Sequence, residues 1–414
     1  MVGYTARLIT RNTVGLYMYG VGDNQPIHYN NVSENQWGAY IYATSPHISH
    51  NDFLNNTHSS LYLHLNSAPR VEWNSFSNSA THQEERYGIY VEECSHGNRG
   101  LLLSNNTFSY VNESLAIKDS GRDDSRLVQI RDNRFRHSTN SITIRDSGRL
   151  GNPLLVRNNN ITRNIGGKAI GVYSSIADVE VFVESNSLWN VSVGVYVQSP
   201  WVTVEKNVIS VWGWEPTPID SGPRGIYSSS PTAVIGNNTL DIISKKFGWT
   251  EVNGIRGTWK LAYNNTVKGY VYGFRVQSTT NPTIRQNHIE GNGAGVRLWG
   301  SGVSPLIENN TFVNNVDGVL VQGGASPTVL NNTMSNTDYR TSGVQVSNGT
   351  PAIEGNSIQK IGQFGIWVRG QYGNPEILLN TISYNVYGIK IEGGNATIHN
   401  SNIIHHNDYY YFVS

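Results

Sequence analysis

The chain has 414 residues, of which 30 are lysine or arginine, 30 are aspartate or glutamate, and 38% are hydrophobic. This balance of charge, with no basic stretch, argues against a nucleic-acid partner, and no apolar run reaches the roughly eighteen residues of a membrane span. Cys94 is the only cysteine, which excludes internal disulfide bonds.

Asparagine recurs in one register of a repeat of about 20 to 30 residues. A typical copy is PTVLNNTMSNTDYRTSGVQVSNGT (327–350), in which apolar residues lie two apart before and after the asparagine. This spacing is typical of short strands with one buried face, and a fixed period of this length is typical of a solenoid. The asparagines in register are Asn12, Asn30, Asn51, Asn74, Asn106, Asn133, Asn159, Asn186, Asn207, Asn238, Asn265, Asn287, Asn310, Asn332, Asn356, Asn380 and Asn402.

Strands this short, separated by corners of Gly, Pro, Asn and Ser, pair in parallel with the equivalent strands of neighbouring copies, about 4.8 Å away. The sequence therefore predicts an all-β fold, a single right-handed parallel β-helix of about 17 coils over 1–414. The asparagine amides are expected to form an inward ladder. The pattern continues to both ends, so we expect uncapped ends that can contact other copies. Longer copies predict loop insertions near 77–87, 119–126, 210–224 and 243–253.

Outward positions follow from the Gly–apolar–x–apolar strand of each copy, in which the residue between the apolar ones and the residue after them face solvent. The tyrosines at the first of these positions are Tyr17, Tyr40, Tyr62, Tyr90, Tyr196 and Tyr227. Rings one coil apart offer platforms for the faces of sugar rings, which favours a polysaccharide ligand. The same column would also stabilise a solenoid that binds nothing.

A charged strip lies between the two groups of tyrosines, next to the small residues Ala116, Thr143 and Gly171. Carboxylates on adjacent or alternate coils would lie about 5 to 10 Å apart, a separation that glycosidases use. A lysine or arginine beside a tyrosine could instead move the proton that a lyase or epimerase transfers. The alternative is a ladder of ion pairs without catalysis. The candidate catalytic residues are Glu92, Lys118, Asp119, Arg145, Asp146 and Tyr173.

Further along the chain, Arg256, Arg275 and Arg297 occupy the same outward position in consecutive copies, and Trp299 follows two residues later. Three like charges one coil apart repel each other, so this column favours an anionic ligand such as a carboxylate or sulfate, unless acidic residues of the insertions neutralise it. Histidine pairs offer no third ligand at a defined spacing, so we expect neither a metal site nor a cofactor.

About a dozen Asn-x-Ser/Thr sequons occur. Many follow from the Asn-Asn-Thr turn of the repeat, whereas Asn112, Asn190 and Asn348 lie outside it. These sequons favour an extracellular or cell-surface glycoprotein.

The units PxIxxNxIxxNxxGIxVxxG resemble the parallel β-helix repeats of the pectin-lyase-like superfamily. That superfamily includes polygalacturonases, polysaccharide lyases, alginate epimerases and the NosD family, and the resemblance covers nearly the whole chain. It implies a fold rather than an activity, because no family's catalytic motifs transfer. In polygalacturonases Asn-Thr-Asp precedes Asp-Asp, whereas here Asp123–Asp124 precedes Asn336–Asp338 and no Gly-His-Gly occurs.

The sequence thus favours an extracellular or cell-surface β-helix that binds a polysaccharide along its tyrosine and arginine columns. If the protein is an enzyme, we expect a polysaccharide hydrolase, lyase or epimerase. The alternative is a non-catalytic structural protein that mediates self-assembly or adhesion. An open groove over the columns would favour the first function, and complementary ends or a covered face the second.

Overall fold

The computed structural model describes residues 7–20, 25–79, 87–94, 100–122, 127–212, 222–244, 251–277, 281–336 and 341–413. These residues form strands and turns without a helix, arranged as a parallel β-solenoid of about fifteen turns. The predicted all-β solenoid is therefore confirmed. The chain divides into two compact units, Met1–Ser210 and Val211–Ser414, and the single domain over 1–414 stays a prediction.

Each full coil of the first unit contains three strands: a leading strand before the repeat asparagine, a middle strand after it, and a long strand. The leading strands are Pro26–His28, His47–Ser49, Arg70–Glu72, Leu102–Ser104, Gln129–Arg131, Leu154–Arg157, Val181–Glu184 and Val202–Glu205. The middle strands are Leu8–Thr10, Asn31–Ser33, Asp52–Leu54, Ser75–Ser77, Thr107–Ser109 and Arg134–Arg136. The long strands are Val14–Tyr19, Trp37–Tyr42, Ser59–His64, Tyr87–Glu92, Glu113–Lys118 and Asn140–Arg145. In two further coils the middle and long strands merge, as Asn160–Tyr173 and Ser187–Gln198.

The second unit repeats the same three kinds of strand, and the middle strand Val208–Trp212 includes residues of both units. Its leading strands are Val234–Gly236, Leu261–Tyr263, Thr283–Arg285, Leu306–Glu308, Thr328–Leu330, Ala352–Glu354, Glu376–Leu378 and Thr397–Ile398. Its middle strands are Thr239–Ser244, Thr266–Lys268, His288–Glu290, Thr311–Val313, Thr333–Ser335, Ser357–Gln359, Thr381–Ser383 and Ile403–His405. Its long strands are Arg224–Ser229, Asn253–Thr258, Tyr272–Val276, Ala294–Trp299, Asp317–Gln322, Ser342–Gly349, Phe364–Gly373, Tyr387–Glu392 and Tyr409–Val413.

Alternating apolar residues build the core of each unit. In the long strands the third and fifth residues point inward, as Ile89 and Val91 do, and both are fully buried. In the first unit the central residues of four consecutive middle strands are phenylalanines whose rings stack. The centroid distances from Phe53 to Phe76 and from Phe76 to Phe108 are both 4.9 Å. Equivalent strands pair in parallel and in register, so identical residues meet in successive coils.

Repeat asparagines form the predicted inward ladder. The side-chain amide of Asn133 donates to Asn159 Oδ1 at 3.1 Å and to the Leu103 carbonyl at 2.9 Å, and the Asn133 backbone N–H donates to Asn159 Oδ1 at 3.0 Å. The ladder contains Asn30, Asn51, Asn74, Asn106, Asn133, Asn159, Asn186 and Asn207 in the first unit and Asn238, Asn265, Asn287, Asn310, Asn332, Asn356, Asn380 and Asn402 in the second.

The predicted register is wrong for Asn12, which belongs to a second ladder at the next corner. Asn12 donates to Asn35 Oδ1 at 3.2 Å, and Asn35 donates to Asn56 Oδ1 at 3.1 Å. Asn12 lies there because it follows Leu8–Thr10, a middle strand that pairs with Asn31–Ser33. The sequence shows one asparagine column clearly, and this second column is interrupted by other residue types.

Glycine is the second residue of many long strands because neighbouring coils approach closely at that point. A Cβ atom on Gly295 would lie 2.7 Å from the carbonyl oxygen of Gly318 and 2.7 Å from a ring carbon of Phe312. The requirement here is for space, whereas the predicted role of glycine at corners applies to residues such as Gly291, with φ 65°.

Candidate functional site

The first, fourth and sixth residues of the long strands form an outward surface, called here the long-strand face. In the first unit the fourth residues pair in the order Tyr17, Tyr40, Tyr62, Tyr90, Ala116, Thr143, Gly171 and Tyr196. The sixth residues pair in the order Tyr19, Tyr42, His64, Glu92, Lys118, Arg145, Tyr173 and Gln198. In the second unit the fourth residues pair in the order Tyr227, Arg256, Arg275, Arg297, Leu320, Gln345, Trp367 and Lys390.

The tyrosines of the first unit contact one another rather than standing apart. The ring centroids of Tyr17 and Tyr40 are 5.5 Å apart, and those of Tyr62 and Tyr90 are 5.3 Å apart with nearly parallel planes. Tyr17 is 62% exposed, whereas Tyr62 is only 8% exposed beneath its neighbours, one of which is Trp37. The most open ring of this column is therefore Tyr17. Tyr40 and Tyr90 are half-buried, and Tyr62 supports the rings around it.

Glu92 is held by two of its neighbours on the long-strand face. Its carboxylate accepts a hydrogen bond of 2.8 Å from the Tyr62 hydroxyl and one of 2.7 Å from Lys118 Nζ. Partial burial acts to raise the pKa of Glu92, but the hydrogen bonds from Lys118 and Tyr62 outweigh it and leave the pKa below its ordinary value. Glu92 is therefore ionised at neutral pH and is poorly suited to act as a general acid.

The lowered pKa of Glu92 predicts a dependence of stability on pH. A carboxylate with a lowered folded-state pKa stabilises the fold fully above its ordinary pKa of 4.5, and this contribution is lost as the pH falls through the lowered value. The difference in unfolding free energy between the wild type and Glu92→Gln should therefore shrink progressively below pH 4.5. Urea denaturation at several pH values measures this, and a difference that is independent of pH would contradict the prediction.

The remaining residues of the charged strip fall into two groups. Asp119 and Asp146 occupy left-handed turns with φ 48°, where Asp119 lies 3.7 Å from Lys118 Nζ and Asp146 accepts a hydrogen bond of 2.7 Å from Ser174. Arg145 instead lies over the ring of Tyr173, with its Cζ atom 5.0 Å from the ring centroid. The strip thus combines an ion-pair cluster at Glu92 and Lys118 with a cation–aromatic cluster at Arg145, and its catalytic role stays a prediction.

Small residues make room for the cation–aromatic cluster. The ring of Tyr173 folds over Gly171, so that a Cβ atom there would lie 2.7 Å from a ring carbon. Burial raises the pKa of Tyr173 to about 12, so its hydroxyl keeps its proton at neutral pH and can donate a hydrogen bond. Lys168, which lies in the same strand as Tyr173, is 5.5 Å from the Tyr173 ring and 4.8 Å from the Tyr196 ring.

The arginine column of the second unit is partly neutralised, as the sequence allowed. Glu251, which belongs to the predicted insertion near 243–253, forms ion pairs with Arg275 and, at 3.3 Å, with Arg256. Arg275 is only 7% exposed, so a ligand has little access to it. Arg297 donates to Gln322 Oε1 at 3.2 Å and lies 5.4 Å from the ring of Trp299, which is 49% exposed.

The first column of the long-strand face was missed by the sequence reasoning, which considered only residues after the glycine. The residue before the glycine also faces outward, and Trp37, Tyr87 and Tyr272 at this position contact rings or cations of the neighbouring column. Lys168 occupies the equivalent position in a coil that has Ala169 in place of the glycine, and it contacts the ring of Tyr196. In the second unit Asp317 occupies this position, and burial raises its pKa to about 6. An aromatic or charged residue directly before the strand glycine is the signal that could have revealed this column.

Several expectations lie outside the described residues. The predicted insertions fall partly on 80–86, 123–126, 213–221 and 245–250, and the motif residues Asp123, Asp124, Thr337 and Asp338 are also outside. Within the described ranges, no three His, Cys, Asp or Glu side chains converge as a metal site would require. The same residues contain no helix with the length and apolar character to cross a membrane.

The comparisons with known proteins concern the solenoid as a whole. No curated protein sequence matches the chain. Among solved structures, a mutant tailspike protein of E. coli bacteriophage HK620 in complex with a pentasaccharide is similar at 11% sequence identity and a TM-score of 0.42, over 84% of this chain and 71% of that chain. The family model of the right-handed β-helix region matches residues 87–246, 120–304 and 252–408. Because the matches to this family model span most of the sequence, the chain belongs to the right-handed β-helix family.

Proposed function

We propose that this protein binds an acidic polysaccharide through the long-strand face of its first unit, with an acidic group of the ligand at Arg145 and Lys168. The observation that carries the proposal is that both cations lie against the ring of Tyr173, at 5.0 Å and 5.5 Å from its centroid. In the described part of the chain, neither cation forms an ion pair with a carboxylate.

The charges around this cluster favour an anion. Glu92 and Lys118 neutralise each other in an ion pair of 2.7 Å. The negative charge of Glu113 also acts on Tyr173, but it is one charge against the two positive charges of Arg145 and Lys168. A guanidinium can hold a carboxylate or sulfate through two parallel hydrogen bonds, and an ammonium can add a third contact. The aromatic rings of Tyr173 and Tyr196, whose centroids are 5.4 Å apart, provide apolar surface for the sugar itself.

The tyrosine column extends this binding surface along the first unit. Tyr40 and Tyr17 lie on the same face in the first coils, and successive coils are separated by about 4.8 Å, close to the length of one sugar residue. We propose binding rather than cleavage, because the carboxylate of Glu92 is already occupied by Tyr62 and Lys118. An acidic polysaccharide as ligand implies an extracellular or cell-surface location.

Replacing both cations tests the proposal. The Arg145→Gln/Lys168→Gln variant should bind a uronic-acid or sulfated polysaccharide at least about 100-fold more weakly than the wild type, because two charge-assisted contacts contribute about 3 kcal/mol or more. The control is Arg134→Gln/Arg136→Gln, which removes two exposed arginines from a middle strand and should bind like the wild type. Binding is measured by a glycan array followed by isothermal titration calorimetry.

Two results would contradict the proposal: a wild type that binds no acidic polysaccharide, or a double variant that binds as the wild type does. Either result would favour the second candidate function, self-assembly or adhesion.

A further inference from the structure

A second column of aromatic side chains lies on the corner of the first unit between the leading and middle strands. The residue directly before each ladder asparagine adopts a left-handed backbone conformation there. In the later coils of this unit, the position is held by Asn105, Asp132, Asn158, Ser185 and Lys206. In three consecutive earlier coils it is held by Tyr29, His50 and Trp73, with φ of 56°, 56° and 61°. Tyr29, His50 and Trp73, called here the aromatic corner, are thus a local departure from the residue types of the repeat.

The aromatic corner is unfavourable for the backbone. Left-handed φ values are tolerated well by Asn, Asp and His but are strained for bulky residues, so Tyr29 and Trp73 are less stable there than asparagine would be. Burial does not compensate, because Tyr29 is 46% exposed and Trp73 is 58% exposed. The stacking of Tyr29 on His50, with ring centroids 5.1 Å apart, offsets part of the backbone strain at Tyr29. It does not account for an exposed tryptophan in a left-handed conformation at Trp73.

Polar groups flank these rings on both sides. On the leading-strand side, Glu72 is held by Arg70 at 3.0 Å, by His47 at 3.5 Å and by a hydrogen bond of 2.9 Å from Ser104. On the middle-strand side, the exposed Asp52 begins the strand one coil before Trp73. Since Arg70 balances Glu72, the corner has little net positive charge, which disfavours an acidic ligand.

From this arrangement we infer that the aromatic corner is a second carbohydrate site, and that it takes a neutral polysaccharide. Exposed rings next to the exposed Asp52 and His50 supply what a neutral sugar needs: a flat apolar surface and polar partners for its hydroxyl groups. The three coils span about 10 Å, enough for about two sugar residues along the solenoid axis. The aromatic corner shares no residue with the long-strand face, so this inference does not depend on the proposed binding of an acidic polysaccharide there.

Asparagine occupies this position in two of the later coils, at Asn105 and Asn158, and substituting it for the aromatic residues separates a binding role from a structural one. The Tyr29→Asn/Trp73→Asn variant should bind a neutral polysaccharide at least tenfold more weakly than the wild type, while its Tm stays equal or rises because asparagine fits the backbone better. The probes are soluble galactomannan, xyloglucan, mannan and dextran, with binding measured by affinity electrophoresis. The matched control is Tyr110→Asn, which removes another exposed tyrosine with φ 59° from the other corner and should bind like the wild type.

Each result of this experiment either supports or overturns a neutral-polysaccharide site at the aromatic corner. Loss of neutral-polysaccharide binding with an unchanged or higher Tm supports it, provided that Tyr110→Asn and Arg145→Gln/Lys168→Gln both bind the neutral probe normally. A fall in Tm would show that the rings stabilise the fold and would overturn the inference. A wild type that binds none of the four probes, or a double variant that binds as the wild type does, would overturn it as well.

Discussion

Asn159→Ala is expected to lower the free energy of unfolding by about 4 kcal/mol, because it leaves at least two buried polar groups without their partners, each at a cost of about 1–3 kcal/mol. Asn159 Oδ1 accepts from the backbone N–H of Asn133 at 3.0 Å, and its amide donates to the Ile130 carbonyl at 3.0 Å. Asn159 is 1% exposed, so water cannot replace these bonds without opening the coil.

The adjacent residue provides the control for this experiment. Asn160 is exposed on the surface of the coil, so Asn160→Ala should change the unfolding free energy by less than about 0.5 kcal/mol. Urea denaturation followed by circular dichroism measures both variants. Equal stabilities of Asn159→Ala and Asn160→Ala would refute the view that the ladder stabilises the solenoid.

Phe108→Ala is expected to destabilise the first unit by about 3–5 kcal/mol, since it removes a buried aromatic ring and leaves a cavity. Phe108 is 1% exposed, and its ring stacks between Phe76, at 4.9 Å, and Phe135, at 4.7 Å. Each of these neighbours is paired in register with it, so the cavity cannot close without moving two coils.

Thr107 lies beside Phe108 on the same middle strand but faces outward, so Thr107→Ala is the matched control and should cost less than about 1 kcal/mol. Thermal denaturation of the two variants, each monitored against the wild type, provides the comparison. A Phe108→Ala protein as stable as Thr107→Ala would mean that the phenylalanine stack contributes little to the core.

The outward columns show how far sequence periodicity reaches. Alternation along a strand placed Tyr17, Tyr40, Tyr62 and Tyr90 in one column, because side chains of period two must alternate between the two faces of a strand. Periodicity did not show that Tyr62 is buried beneath its neighbours, since the packing of rings depends on rotamers that no repeat encodes.

The arginine column illustrates the same limit for charge. The sequence predicted that acidic residues of an insertion would neutralise the column if they reached it, and Glu251 does reach Arg256 and Arg275. Which carboxylate approaches which arginine depends on the path of a loop, and a loop path follows from the closure of the whole coil rather than from a local pattern.

The sequence by itself determined the repeat, the strands and the inward ladder, because these depend on the spacing of residues along the chain and each coil repeats the same local interactions. Only the tertiary structure decided which outward residues are open, which are paired, and which meet at a corner. Arg145, Lys168 and Tyr173 come together only when two neighbouring coils stack and a glycine leaves space for a ring. The left-handed corners that display Tyr29 and Trp73 likewise follow from the sharp bend between two strands, which the sequence marks with asparagine or aspartate in several other coils but not in these.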